Sequence, residues 1–333
     1  MRVIAFLRLL LPLALLLGLV PAGADTPTAV PGERSISEWL QRMHDASRRR
    51  AYIGTLVVSS DGAMSSARVW HICDGRQQME RVEALTGTPR STFRRNDEVI
   101  TFSPQSRVAV VERRESLGLF PQLLKSADAA IDQFYGASMQ GSERVAGFEA
   151  DVVQLQPRDS LRFGYRIWSE KKTGLMVKLQ TLDGQGRVLE QVAFSELQLD
   201  APVSMDKLKR MMADTEGYRL EKPALVKTTP QAEGWKLAQE VPGFRSMSCY
   251  RRSSPAGGDA LQWVFSDGLA TVSVFIEPYD PRRHAQEGQQ TMGATHALVQ
   301  RGRGAGAAWW LTLVGEVPAQ TLQAFAQGLE RLP

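Results

Sequence analysis

The sequence predicts an α+β chain that is mostly antiparallel sheet and divides into two unequal parts. Three observations carry this reading. Short runs alternate apolar and polar residues, and turn signals at Asp61-Gly62, Asp74-Gly75, Thr86-Gly87 and Asn96-Asp97 punctuate them at intervals of 13, 12 and 10 residues, the rhythm of a meander. Helical periodicity is confined to a few short stretches. Composition shifts over residues 199–234, where polar residues surround Pro223 and Pro230, as in an interdomain connector.

The first element is a targeting signal. Arg2 and Arg8 precede an apolar stretch from Leu9 to Val20, and Ala22-Gly23-Ala24 has the small-residue pattern of a cleavage site. The stretch is too short to span a bilayer, so 1–24 reads as a cleavable signal peptide with Asp25 as the first mature residue. Asp25 is not a cysteine and no later apolar run approaches the ~20 residues of a membrane helix. A soluble exported protein is expected.

Residues 35–50 read as a helix. Ser35 and Glu38 have capping-box spacing, and Ile36, Trp39, Leu40 and Met43 form an apolar stripe. "YIGTLVVSS" and "SARVWHI" then switch to a period of two. Residues 117–140 interrupt the sheet as a loop and a short helix. Strands resume with "EADVVQLQP" and "LRFGYRIW", and "KKTG" and "DGQG" turn the chain into "LMVKLQTL" and "RVLEQVAF". In this meander Tyr165 and Ile167 point one way, and Arg166 and Trp168 the other. One face is apolar. The other is mixed, with Trp168, Met176 and Leu182 among charges. A sheet solvated on one side alternates more cleanly, whereas a sheet curled around its own helices or a ligand need not. After the connector come a strand–turn–strand unit from Trp235, hairpins at Ser266-Asp267-Gly268 and across "THALVQRGRGAGAAWWLTLVGE", and a final helix with Pro318 near its first turn and Leu322, Phe325 and Leu329 as its stripe. The expected divisions are 1–24 signal peptide, 25–200 first domain, 201–230 linker and 231–333 small α+β domain.

The net charge of +4 falls to about +2 without the two signal-peptide arginines. The remaining arginines are scattered in pairs and triplets, which is not a nucleic-acid footprint. Cys73 and Cys249 are too few for a disulfide framework; two separate thiols or one long-range bridge both fit. His44, His71, His284 and His296 stand apart from metal-ligand spacing. No nucleophile elbow, phosphate loop, C-x-x-C or H-E-x-x-H occurs. The residues therefore point to binding, with no catalytic, metal or cofactor site. Candidates for contact with a lipid or partner are the aromatics Trp70, Phe93, Phe102 and Trp168, and in the second part Trp263 and Trp310. Met176 and the cations Arg166 and Lys178 join Trp168 on the mixed face, where apolar groups could take acyl chains and cations meet phosphate.

The runs "YIGTLVV…ARVWH", "RVAGFEADVVQLQPRDSLRFGYRIW", "KTGLMVKLQTLDGQGRVLEQVAFSEL", "VPGF", "SDGLATVSVFIEP" and "VGEVP" resemble the RseB/MucB family from about Ser37 to Leu329. The first half alone also resembles the carriers LolA and LolB. The resemblance implies a half-open LolA/LolB-like β-barrel with helices in its concavity, followed by a smaller α+β domain. It implies a periplasmic negative regulator of the sigma-E (alginate-type) envelope-stress response, with no enzymatic activity. Such a regulator binds the periplasmic region of a membrane-spanning anti-sigma factor of the RseA/MucA type and shields it from site-1 proteolysis. Lipid, lipopolysaccharide or mislocalised lipoprotein releases it. Homo-oligomerisation stays open. A lipoprotein carrier is the alternative, against which stands the whole second part from Trp235. A lipid hydrolase is a third reading, against which stands the missing nucleophile motif.

Overall fold

The computed structural model of the chain describes residues 35–113, 131–253, 259–284, 286–304 and 307–332. The expected signal peptide and most of the loop expected over 117–140 lie outside them. Helix α1 (Ile36–Arg49) begins at the expected capping box: the Glu38 N–H donates to Ser35 Oγ at 3.2 Å and the Ser35 N–H to Glu38 Oε2 at 2.9 Å. Satisfying two orphan donors fixes where the helix starts. It buries Trp39, Leu40, Met43 and Ala46. From its exposed side Arg42 donates to the carbonyls of Lys171 and Lys172 at 2.6 and 2.9 Å, pinning the helix to a hairpin turn.

Strands β1 (Tyr52–Ser60), β2 (Ala63–Cys73), β3 (Gln78–Ala84), β4 (Ser91–Arg95), β5 (Glu98–Ser103) and β6 (Val108–Arg113) run up and down in sequence order. The expected turns close them, and left-handed φ angles at Asp61 (49°), Gly62 (76°) and Asn96 (55°) explain why Asp, Gly and Asn stand there. After the one-turn helix α2 (Ile131–Phe134) comes β7 (Tyr135–Val145). Residues 135–140, expected to be helix or loop, are therefore strand. After the buried Tyr135 the side chains from Ala137 on are exposed and leave no alternation to read, and pairing with β8 makes the strand. Then follow β8 (Phe148–Pro157), β9 (Gly164–Glu170), β10 (Met176–Leu182) and β11 (Val188–Leu199), and, after helix α3 (Met205–Ala213), β12 (Arg219–Glu221). The sheet has twelve strands in the order β12-β6-β5-β4-β3-β2-β1-β11-β10-β9-β8-β7. β7 curls back toward β11, yet β7 and β12 remain separate edges. The barrel is half open, as the resemblance implied.

Register decides which side chains share a face. Tyr52, Leu56, Val69, Val192, Phe194, Leu179, Ile167, Val153, Leu155 and Tyr165 line one face, and α1 packs there. Trp70, Met79, Phe93, Ile100, Phe102 and Ala109 line the other, where Leu208 and Met212 of α3 cover them. A bulge between Thr55 and Leu56 in the β1–β11 pairing lets Leu197 and Phe194 both reach the α1 face. Phe194 lies over Gly54, where a Cβ would approach its ring to 2.5 Å.

The second sheet is built from β13 (Leu225–Lys227), β15 (Arg245–Ser253), β16 (Asp259–Ser266), β17 (Thr271–Pro278), β18 (Gly288–Met292), β19 (Thr295–Gly304) and β20 (Ala307–Gly315), in the order β13-β15-β16-β17-β20-β19-β18. A two-stranded piece joins β14 (Trp235–Leu237) to β21 (Leu329–Arg331), which follows α4 (Ala319–Gly328). Leu329, expected in the helical stripe, is thus in a strand, because it pairs with Leu237. Phe265, Val272, Val274, Leu313, Leu322 and Phe325 form this core. Both cysteines are free thiols, and burial pushes that of Cys249 up to about 11.

Candidate partner-binding surface and domain joint

The expected mixed face is only partly assembled. Trp168 and Lys178 are cross-strand partners; the Lys178 Nζ lies 4.1 Å from the Trp168 ring centroid, within cation–π reach. Trp168 is 2 % exposed and donates from Nε1 to Glu143 Oε2 at 2.8 Å. Arg166 is half-buried on the same face and donates to Gln154 Oε1 at 3.4 Å. Met176 departs from the expectation. A register shift between Met176 and Lys178 turns it to the α1 face, where it packs with Trp39, Leu40 and Met43. A strict two-residue alternation cannot foresee such a bulge.

Phe93 and Phe102 meet edge-on at 5.7 Å under α3. Trp70 is half-buried at the border of this cluster, with the guanidinium carbons of Arg81 and Arg68 at 4.7 and 5.9 Å from its ring. In the second part Trp263 is buried and donates to Ser246 Oγ at 2.7 Å. Trp310 is buried and stacks on His284 at 4.8 Å and 9°. Phe93, Phe102, Trp168, Trp263 and Trp310 are therefore packed against their own chain, whereas Trp70, Arg166 and Lys178 keep solvent-facing surface.

On the α1 face, His71 is fully buried and stacks on Tyr52 at 4.8 Å. Its Nδ1 lies 2.7 Å from the Arg50 carbonyl, and burial pushes the imidazole down to about 4. Cross-strand from it, Glu80 is also buried. Burial pushes the Glu80 carboxyl up to about 7, with Arg94 pulling the other way. Because the folded value lies above the unfolded one, the native state favours protonated Glu80. The resulting stability is full below about pH 4.5 and is lost as pH rises through about 7. Glu80→Gln should therefore gain on the wild type between pH 5 and 8, by roughly 3 kcal/mol at most. Urea midpoints at the two pH values measure this, and an unchanged difference between the proteins would refute it.

Residues that sequence reasoning passed over make the joint between the two sheets. Arg162 Nε donates to Asp267 Oδ2 at 2.8 Å, and both side chains are completely buried. The Tyr135 hydroxyl donates to the same oxygen at 3.1 Å. Asp267 Oδ1 accepts the N–H groups of Leu269 and Ala270 at 2.9 and 2.8 Å. Arg162 also pairs with Asp159 and donates to the Pro242 carbonyl. Its guanidinium carbon lies 4.2 Å from the Phe134 ring centroid and 5.0 Å from that of Phe244. Gly243 is left-handed, at φ 81°, and a Cβ there would run into Arg162 and Phe134. Beyond the pair, Leu269 at the β16–β17 turn enters the core built by α1 and the first sheet, and Thr321 of α4 donates to the Leu161 carbonyl at 2.8 Å. In the sequence "SDG" signals only a turn.

An open sheet with cationic and aromatic surface, keyed to a second sheet by a buried ion pair, defines a two-part binding protein. The chain belongs to the MucB/RseB family: the MucB/RseB N-terminal domain matches residues 35–212 and the C-terminal domain residues 229–330. It is 28 % identical over 316 residues to the sigma factor AlgU regulatory protein MucB of Pseudomonas aeruginosa, covering 94 % of this chain and 95 % of that one. It is 23 % identical over 303 residues to the sigma-E factor regulatory protein RseB of Escherichia coli, covering 87 % and 89 %. The crystal structure of MucB in complex with MucA(peri) superposes with a TM-score of 0.69 at 25 % identity, over 90 % of this chain and all of that one.

Proposed function

We propose that this chain is a periplasmic regulator that holds the periplasmic region of a RseA/MucA-type anti-sigma factor, hides it from the site-1 protease, and releases it when lipid, lipopolysaccharide or lipoprotein arrives. One observation carries the reading: both family domains are present in order, and the chain follows nearly the whole of a MucB solved with MucA(peri). A carrier reading would leave the second domain without a role. Trp70, Arg166 and Lys178 are the residues we assign to contact with partner or lipid. A pull-down from envelope extract with the mature protein tests the function. Enrichment of an anti-sigma factor, lost on adding lipopolysaccharide, is expected; a spread of lipoproteins with no anti-sigma factor would favour transport instead.

Among the described residues no helix is long and apolar enough to cross a membrane. We propose export by cleavage after Ala24, which N-terminal sequencing of the periplasmic protein reads as a start at Asp25. The division into 25–200, 201–230 and 231–333 is likewise our proposal. Limited proteolysis should nick first within 201–230, and the two fragments should stay together on a sizing column because the Arg162 joint lies elsewhere. A first nick within 51–110 would move the boundary.

A further inference from the structure

A second contact between the two sheets is built from acids. At the β1–β2 turn Asp61 Oδ2 accepts the Gly293 N–H at 2.5 Å. Gly293 is left-handed, at φ 60°, and a Cβ there would meet Ser60 Oγ and Glu190 Oε2. The β18–β19 turn therefore sits directly on the end of the first sheet. Ser60 pairs with Glu190, and Glu190 with Thr181, which pairs with Tyr165. This row runs along the α1 face toward the Arg162 joint. The Ser60 hydroxyl is buried on it without a hydrogen-bond partner among the described residues. Glu316, just beyond β20, is a third carboxylate, close enough to feel the Glu190 charge.

We infer that this seam is a proton-operated latch: protonation of Glu190 and Glu316 draws the β18–β19 turn onto the first sheet, and deprotonation loosens it. The electrostatics agree. Desolvation raises the Glu190 carboxyl, nearby Asp61 raises it further, and the Ala294 N–H pulls it down. Desolvation raises Glu316, and Glu190 adds to it. Like charges brought together out of water favour the neutral form. Tyr165, which feels the Glu316 charge, and His296 are further titratable groups near the seam; the His296 Nδ1 lies 2.8 Å from the Val317 carbonyl and its ring 5.7 Å from Phe163. Arg187, in the turn before β11, is held by Asp183 at 2.7 Å. In the acid form a carboxyl O–H replaces a charge, which removes the repulsion. Sign follows from the raised values: seam stability is present at low pH and lost as pH rises through the folded values. The latch concerns the two domains themselves and does not depend on which partner they hold.

Hydrogen exchange of the full mature chain tests it, followed on peptides covering 288–297 and corrected for the intrinsic pH dependence of exchange. In the wild type, corrected exchange there should be several-fold faster at pH 8 than at pH 5. The Glu190→Gln/Glu316→Gln variant, a neutral mimic of the acid form, should be slow at both pH values. His296→Gln should keep the wild-type response. A wild type with no corrected pH dependence overturns the latch. So does a double variant that keeps the dependence, or a His296→Gln variant that loses it. Peptides from β9 and β10 in the same digest report whether each variant is folded.

Discussion

Asp267→Ala should be among the most damaging single substitutions in the chain. It strands the fully buried Arg162 guanidinium on one side and removes the acceptor of Tyr135, Leu269 and Ala270 on the other. Breaking one half of a buried ion pair costs about 3–5 kcal/mol. For a protein of this size that corresponds to a fall in Tm on the order of 10 °C. Asp267→Asn keeps the size of the side chain and isolates the charge. Removing both charges in Arg162→Met/Asp267→Asn should recover part of the loss, since an uncompensated charge is worse than none. Calorimetry of the three proteins decides. If Asp267→Ala melts within 3 °C of the wild type, the joint does not hold the two sheets together.

The second large effect is expected at Trp168. Its ring is enclosed, its Nε1 is satisfied by Glu143 and Lys178 covers its face. As a packed residue, Trp168→Ala should cost about 3–5 kcal/mol. Lys178→Met should cost ~0.5–2 kcal/mol, the range of a partly desolvated cation–π contact. A residue lining a ligand cavity behaves differently: the fold survives the substitution, and the complex with the anti-sigma factor needs more lipid to dissociate. Melting temperature and dissociating lipid dose, measured together, separate the two roles. We expect a sharply lower Tm and an unchanged dose in the folded fraction. An intact fold with a raised dose would make Trp168 a ligand-facing residue.

The contrast between these residues shows what a sequence makes legible. Ser35 and Glu38 act within one turn of helix, and Asp61-Gly62 and Asn96 close tight turns, so their physics is local and reads directly. Alternation placed Tyr165 and Ile167 opposite Trp168 correctly. It failed one strand later, at Met176, because the bulge belongs to a pairing and not to either strand alone. The candidate surface divides similarly. Aromatic type marked Trp168, Trp263 and Trp310, but burial is decided by what packs over them, and Glu143 and His284 lie 25 and 26 residues from Trp168 and Trp310. The joint was the least legible part. Arg162 and Asp267 are separated by 105 residues, and each looks like an ordinary surface residue until the two sheets meet.

The crossing between the sheets occupies residues 222–224, from the end of β12 in the first sheet to the start of β13 in the second. From Glu221 to Leu225 the extended chain reaches at most roughly 14 Å. When the seam opens, the buried Arg162–Asp267 pair and this short crossing still hold the two halves, so each sees the other at an effective concentration of millimolar or more. Reclosure is then a first-order event whose rate is independent of how much protein the compartment holds, so the seam can open and close many times without its halves ever searching for each other.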